Sequence, residues 1–103
     1  MTAFTGSRYI TIGIKNEIPL EYQIVMWEMI DDDRRMNKTL DYLQVFELKP
    51  SYENGKTVQK IIHTQEQPRR KSIKTVDSDD PISATIFVID DISHITMLLS
   101  HEY

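Results

Sequence analysis

The chain has 103 residues, with 12 Lys and Arg against 16 Asp and Glu, a formal net charge of -4 and no cysteine. That length fits one domain, which buries roughly two thirds of the surface its unfolded chain exposes. The missing cysteine excludes disulfides, thiolate catalysis and cysteine-ligated zinc, and the acidic balance disfavours a general polyanion binder.

In chain order, residues 1–7 are small and polar around one aromatic, Phe4, and read as a flexible N-terminus. They have no basic region and no apolar run, so a secretory leader is not expected. No segment reaches the length of a membrane span, and the expected setting is the cytoplasm. A single α+β domain is expected over 8–103. In RYITIGI, Ile10, Ile12 and Ile14 alternate with Tyr9, Thr11 and Gly13, the period of a half-buried strand. Gly13 leaves room for another group to come close.

PLEYQIVMWEMIDDDRRM, about 19–36, is the one long helix expected. Pro19 suits the first turn, where its missing N–H costs nothing. Glu17 and Glu21 lie near the positive end of the dipole, and Arg34, Arg35 and Lys38 near the negative end. At 100° per residue, Leu20, Ile24 and Trp27 form one stripe with Ile30 beside it, expected to anchor the core. Tyr22, Val25, Met26 and Met29 fall largely on another side. They are surplus to one sheet and form a candidate interface, because exposed apolar patches on monomers are rare. Cover by the protein's own loop or tail is an equal alternative.

LDYLQVFELKP follows as a strand with apolar residues in both alternating sets, so cover on both faces is expected. Pro50 is expected to stop it. Asn54-Gly55 signals a hairpin into the return strand TVQKIIHTQ. Residues 66–83 read as a long polar loop with one β-prone piece, SIKTV. ATIFVIDD suits the buried middle of a sheet, and HITMLLS is read as its hairpin partner. The expected product is a mixed or mainly antiparallel sheet of five to six strands with the long helix packed on one face. The first strand, the helix and the second strand are expected to make a parallel crossover.

Few constellations suggest chemistry. Asp90, Asp91 and His94, with His63 if the fold brings it near, are the closest approach to a metal cluster. A hairpin turn explains those aspartates more simply. His63, His94 and His101 have no nucleophile motif beside them, and the GxSxG elbow, the P-loop and HExxH are absent. Arg69, Arg70, Lys71 and Lys74 form a candidate basic patch that phosphates could use, balanced by Asp77, Asp79 and Asp80. Asp31, Asp32 and Asp33 make a second acidic run, open to phosphate mimicry or to plain solvation.

The segments RYITIGIKNEIPLEYQIVMWEMID, LDYLQVFEL, QKIIHTQEQP and IFVIDDISHITMLLSHEY resemble a family of short staphylococcal-type bacterial proteins, domain of unknown function nine-sixty. The resemblance spans most of Arg8 to Tyr103 and is poorest over 66–83. It implies a bacterial cytosolic setting and brings no activity, cofactor or site residues. The leading expectation is a non-enzymatic interaction or regulatory module, homodimeric through Tyr22, Val25, Met26 and Met29, or bound there to another protein. No cofactor or metal is expected. The alternative is a nucleic-acid-associated protein using the basic run at 69–74, and a small enzyme or metal site at Asp90 and His94 stands behind it.

Overall fold

The computed structural model describes residues 3–103. Strand β1 (Ser7–Ile10) leads into helices α1 (Ile12–Glu17) and α2 (Leu20–Arg35). Five strands follow: β2 (Leu43–Glu53), β3 (Lys56–Gln65), β4 (Arg70–Asp77), β5 (Ala84–Asp90) and β6 (His94–Leu99). They form one mixed six-stranded sheet in the order β1-β6-β5-β2-β3-β4. Every pairing is antiparallel except that of β1 with β6. The class is α+β.

The hairpins are placed by local chemistry. Asn54 and Gly55 both have positive φ, 52° and 81°, which asparagine and glycine tolerate best. The β5–β6 hairpin confirms the strand reading of HITMLLS. Its turn is held by Asp91, whose Oδ1 accepts from the His94 N–H at 2.9 Å.

Elsewhere the chain departs from the periodicity reading. The expected strand over RYITIGI ends at Ile10, and a helix starts at Ile12. Thr11 causes the switch, because its hydroxyl accepts from the Ile14 N–H at 3.3 Å and caps α1. The three isoleucines therefore share no face: Ile14 is buried, whereas Ile10 and Ile12 are exposed. Pro50 does not end β2. Beyond Leu48 the pairing with β5 has stopped, so β2 is an edge there and a missing N–H is tolerated. The loop expected over 66–83 is largely β4, the far edge strand, built on the β-prone SIKTV piece. β1 runs parallel to β2 but is not its neighbour, since β6 and β5 lie between them. Phe4 does not fray: it is 1% exposed, and its N–H donates to Asp90 Oδ2 at 3.0 Å. Of the expected flexible N-terminus, residues 1–2 lie outside the described residues.

One cluster of buried side chains joins helix to sheet. Tyr22, Met26, Met29 and Ile30 of α2 and Ile14 of α1 meet Phe46, Leu48, Ile61, Ile86, Val88, Ile95, Met97 and Leu99. The register places all these strand residues on the same side of the sheet.

The rotation of α2 is therefore opposite to the one expected. Leu20 is 68% exposed and Ile24 48%, whereas Tyr22 and Met26 are 1% and 0% exposed. Both stripes have helical spacing, so periodicity does not choose between them. Gln23 does: its Nε2 donates to the Ile18 carbonyl at 2.8 Å, which holds this side of α2 against α1. Tyr22 adds a hydrogen bond from its hydroxyl to Ser78 Oγ at 2.7 Å. Flexible Met26 and Met29 then fill the space over the sheet. Of the residues expected to anchor the core, only Ile30 is fully buried, with Trp27 packed at its margin.

Candidate functional site

Tyr22, Met26 and Met29, three of the four candidate interface residues, are inside the protein's own core, and Val25 is half-buried against it. The sheet itself covers that face, in place of the loop or tail expected as the alternative, and it is not available to a partner.

The basic run is divided by the pleat of β4. Arg70 pairs with Gln65 and Lys74 with Ile61, on the α2 side, while Lys71 pairs with Thr64 on the other side. Arg70 bonds Asp33 at 3.4 Å and the Thr39 carbonyl at 2.8 Å, and Lys74 reaches Asp32 at 3.5 Å. Arg69 lies outside the strand in the preceding turn. The four charges form no single patch.

The same contacts account for the acidic run. Asp31 accepts from Arg8 on β1, whose guanidinium also lies 4.8 Å from the Trp27 ring. That hydrogen bond holds the Asp31 carboxyl below the usual range. Asp32 and Asp33 bond Lys74 and Arg70 on β4. Three consecutive aspartates thus tie the end of α2 to both edges of the sheet, which is a better account than phosphate mimicry.

Asp90, Asp91 and His94 build the hairpin instead of a metal centre. Asp90 is buried, and its two oxygens accept from the N–H groups of Phe4 and Ile92. Asp91 lies 3.1 Å from His94 Nε2, and the hydrogen bond from the His94 N–H lowers its carboxyl pKa. Among the described residues no three His, Asp or Glu side chains gather closely enough to hold a metal.

His63 sits apart from them, 4% exposed on β3 and stacked on Phe46 at 4.3 Å. Its tautomer follows from a chain of glutamines. Gln65 Nε2 donates to the carbonyls of Thr39 at 3.1 Å and Pro68 at 2.8 Å. Gln65 Oε1 therefore accepts, from Gln44 Nε2 at 2.8 Å. Gln44 Oε1 then faces His63 Nε2 at 2.6 Å, so that nitrogen carries the proton and Nδ1 is a bare lone pair. Burial pushes the imidazole down to about 4.

The other side of the sheet is different in kind. Leu43 pairs with Ile89, Val45 with Phe87, and Phe87 with Leu98, all pointing away from the buried cluster. Ile62 and Ile73 continue the surface across β3 and β4. Glu47, Lys49, Lys60 and Lys71 lie toward its rim, by the same alternation. These apolar residues are half-buried or exposed, apart from Leu98 at 8%. The sequence signal for this surface was the apolar character of both alternating sets in β2.

The architecture defines a small α+β protein with a mixed six-stranded sheet and two helices, one longer. Residues 7–102 match the family described as staphylococcal protein of unknown function (DUF960), and the chain belongs to that family. It is similar to a protein of unknown function from Enterococcus faecalis known from a crystal structure. The two are 26% identical with a TM-score of 0.72, covering 100% of this chain and 97% of that one. No curated protein matches the chain. Among the described residues no helix is long and apolar enough to cross a membrane.

Proposed function

We propose that this protein is a non-enzymatic interaction module of the bacterial cytoplasm, and that it is a homodimer. In this reading α2 closes one face of the sheet and a second copy of the chain closes the other. One observation carries it: Leu43, Val45, Ile62, Phe87, Ile89 and Leu98 lie side by side on the face away from the core cluster. An antiparallel sheet with a wet second face alternates apolar-in and polar-out. Here the outward positions Leu43 and Val45 of β2 and Phe87 and Ile89 of β5 are apolar instead, with the polar positions Glu47, Lys49 and Thr85 toward one end.

Size and charge favour a second copy as the occupant. Six strands about 4.8 Å apart and about eight residues long on average project roughly 750 Å² before side-chain relief is counted. A stable interface buries about 800 Å² per partner, so the surface is of the right order. Its rim carries both signs, with Glu47 beside Lys49 at 3.4 Å and Lys60 across the strand pair. A two-fold axis sets such a surface against itself, and an axis passing between Glu47 and Lys60 brings opposite charges together. The dimer then presents its remaining surface to the protein it regulates.

Light scattering on the full chain tests this reading. A dimer mass is expected, falling to a monomer in Val45→Lys and Phe87→Lys with the circular dichroism unchanged. A wild-type monomer at high concentration ends it.

A nucleic-acid role through residues 69–74 has less support, because the pleat of β4 puts Lys71 on the face opposite Arg70 and Lys74.

A further inference from the structure

A cavity of about 60 Å³ lies beside His63, lined also by Asp33, Lys38, Arg70 and Ser72. It adjoins the C-terminal end of α2 and strands β3 and β4, on the face opposite the proposed dimer surface. Three requirements for its occupant can be read from these groups. The first is a hydrogen-bond donor. His63 Nδ1 is a lone pair in a ring 4% exposed, and it has no hydrogen-bond partner among the described residues. A buried acceptor left unpaired is costly, so the cavity favours a guest with an O–H. The second is negative charge, since Arg70 and Lys38 outnumber the one carboxylate, Asp33. Lys38 is held loosely, 3.5 Å from Asp33. The third is small size, since the space holds only a few heavy atoms.

We infer that this cavity binds a hydrogen phosphate group, free or at the end of a monoester, which donates its P–OH to His63 Nδ1 while its oxygens face Arg70, Lys38 and the Ser72 hydroxyl. Ser72 pairs directly with His63 across the strands, so both side chains lie on the cavity's side of the sheet. Guanidinium and ammonium groups both bind phosphate oxygens well. Water alone meets the need for a donor but leaves the excess positive charge unanswered.

Nitrogen NMR of the His63 ring in the full chain tests the site, with inorganic phosphate, methyl phosphate and sulfate added in turn. Phosphate is expected to move the Nδ1 resonance and leave Nε2 protonated. Sulfate has no proton to give at neutral pH, and is expected to bind about tenfold more weakly. Compared at about pH 6, where a monoester also keeps a P–OH, methyl phosphate binding as well as phosphate places the ester outside the cavity, and binding of inorganic phosphate alone marks a closed site for the free ion. Lys38→Ala, at an exposed position, is expected to weaken phosphate about threefold without affecting the fold. No Nδ1 shift by about 10 mM phosphate overturns the inference, as does sulfate binding equal to phosphate.

Discussion

His63 donates its Nε2 proton to Gln44 Oε1 across 2.6 Å, with its ring stacked on Phe46. The pair makes β3 dependent on a neutral imidazole, and the sign of the pH effect follows. Burial lowers the folded-state pKa from 6.5 to about 4. Above pH 6.5 both states are neutral at this site and it contributes no pH dependence. Below that value the unfolded chain takes up the proton first, so stability falls on acidification. Between pH 7 and 5 the loss is expected to be about 2 kcal/mol, read by urea unfolding, and to shrink in His63→Phe. A flat profile over this range contradicts the assignment. At lower pH, Asp31 and Glu102 add to the loss. Their folded pKa values are depressed, so their stabilisation is present above the unfolded values and fades as each carboxylate is protonated.

The rotation of α2 gives opposite outcomes for two neighbouring turns. Met26→Ala removes a fully buried side chain from the core and is expected to cost about 2–5 kcal/mol. Ile24→Ala, half-exposed on the outer face, is expected to stay within about 0.5 kcal/mol. Chemical denaturation of the two variants decides which stripe is inside.

Gly13 is expected to resist a substitution that usually helps helices. A Cβ built there comes within 2.6 Å of Glu102 Oε2, the carboxylate that accepts from Thr11 Oγ1, the Gly13 N–H and the Leu99 N–H. Gly→Ala in a helix normally gains up to about 1 kcal/mol. Gly13→Ala is expected to lower the melting temperature instead, and a rise would show that Glu102 is not needed at the start of α1.

Ile92 sits at the tip of the β5–β6 hairpin with φ at 81°, a backbone conformation that suits a β-branched residue poorly. It is 86% exposed, so nothing in the core needs its side chain. Ile92→Asn is expected to stabilise by about 1 kcal/mol, a rise of roughly 4–8 °C in Tm. Thermal melts check this, and an unchanged or lower Tm contradicts it.

Much of the architecture was legible because local chemistry decided it. Asn54-Gly55 set one hairpin, the nearly unbroken apolar run at 84–89 set β5, and Asn37 at φ 55° marks the end of the long helix. Gly13 was readable as a place of close approach, although its helix was not. What escaped depended on partners distant in sequence. The inward stripe of α2 is fixed by Tyr22 reaching Ser78, 56 positions away, with Gln23 holding Ile18 across the short α1–α2 turn. The basic run looked like one loop because its alternation across β4 shows only once the strand is paired. The outer face of the sheet was half legible, since apolar residues at both parities of β2 implied cover on both sides. Periodicity could not say that on the second side Tyr103 packs on Phe87 while Leu43, Val45 and Ile62 stay half-buried.

The proposed dimer is tested most directly by intermolecular NOE spectroscopy on a mixture of isotope-labelled and unlabelled chains. The account predicts cross-peaks between copies at Leu43, Val45, Ile62, Phe87 and Leu98. An absence of intermolecular peaks at high concentration would contradict it, as would peaks confined to Leu20 and Ile24 on the outer face of α2.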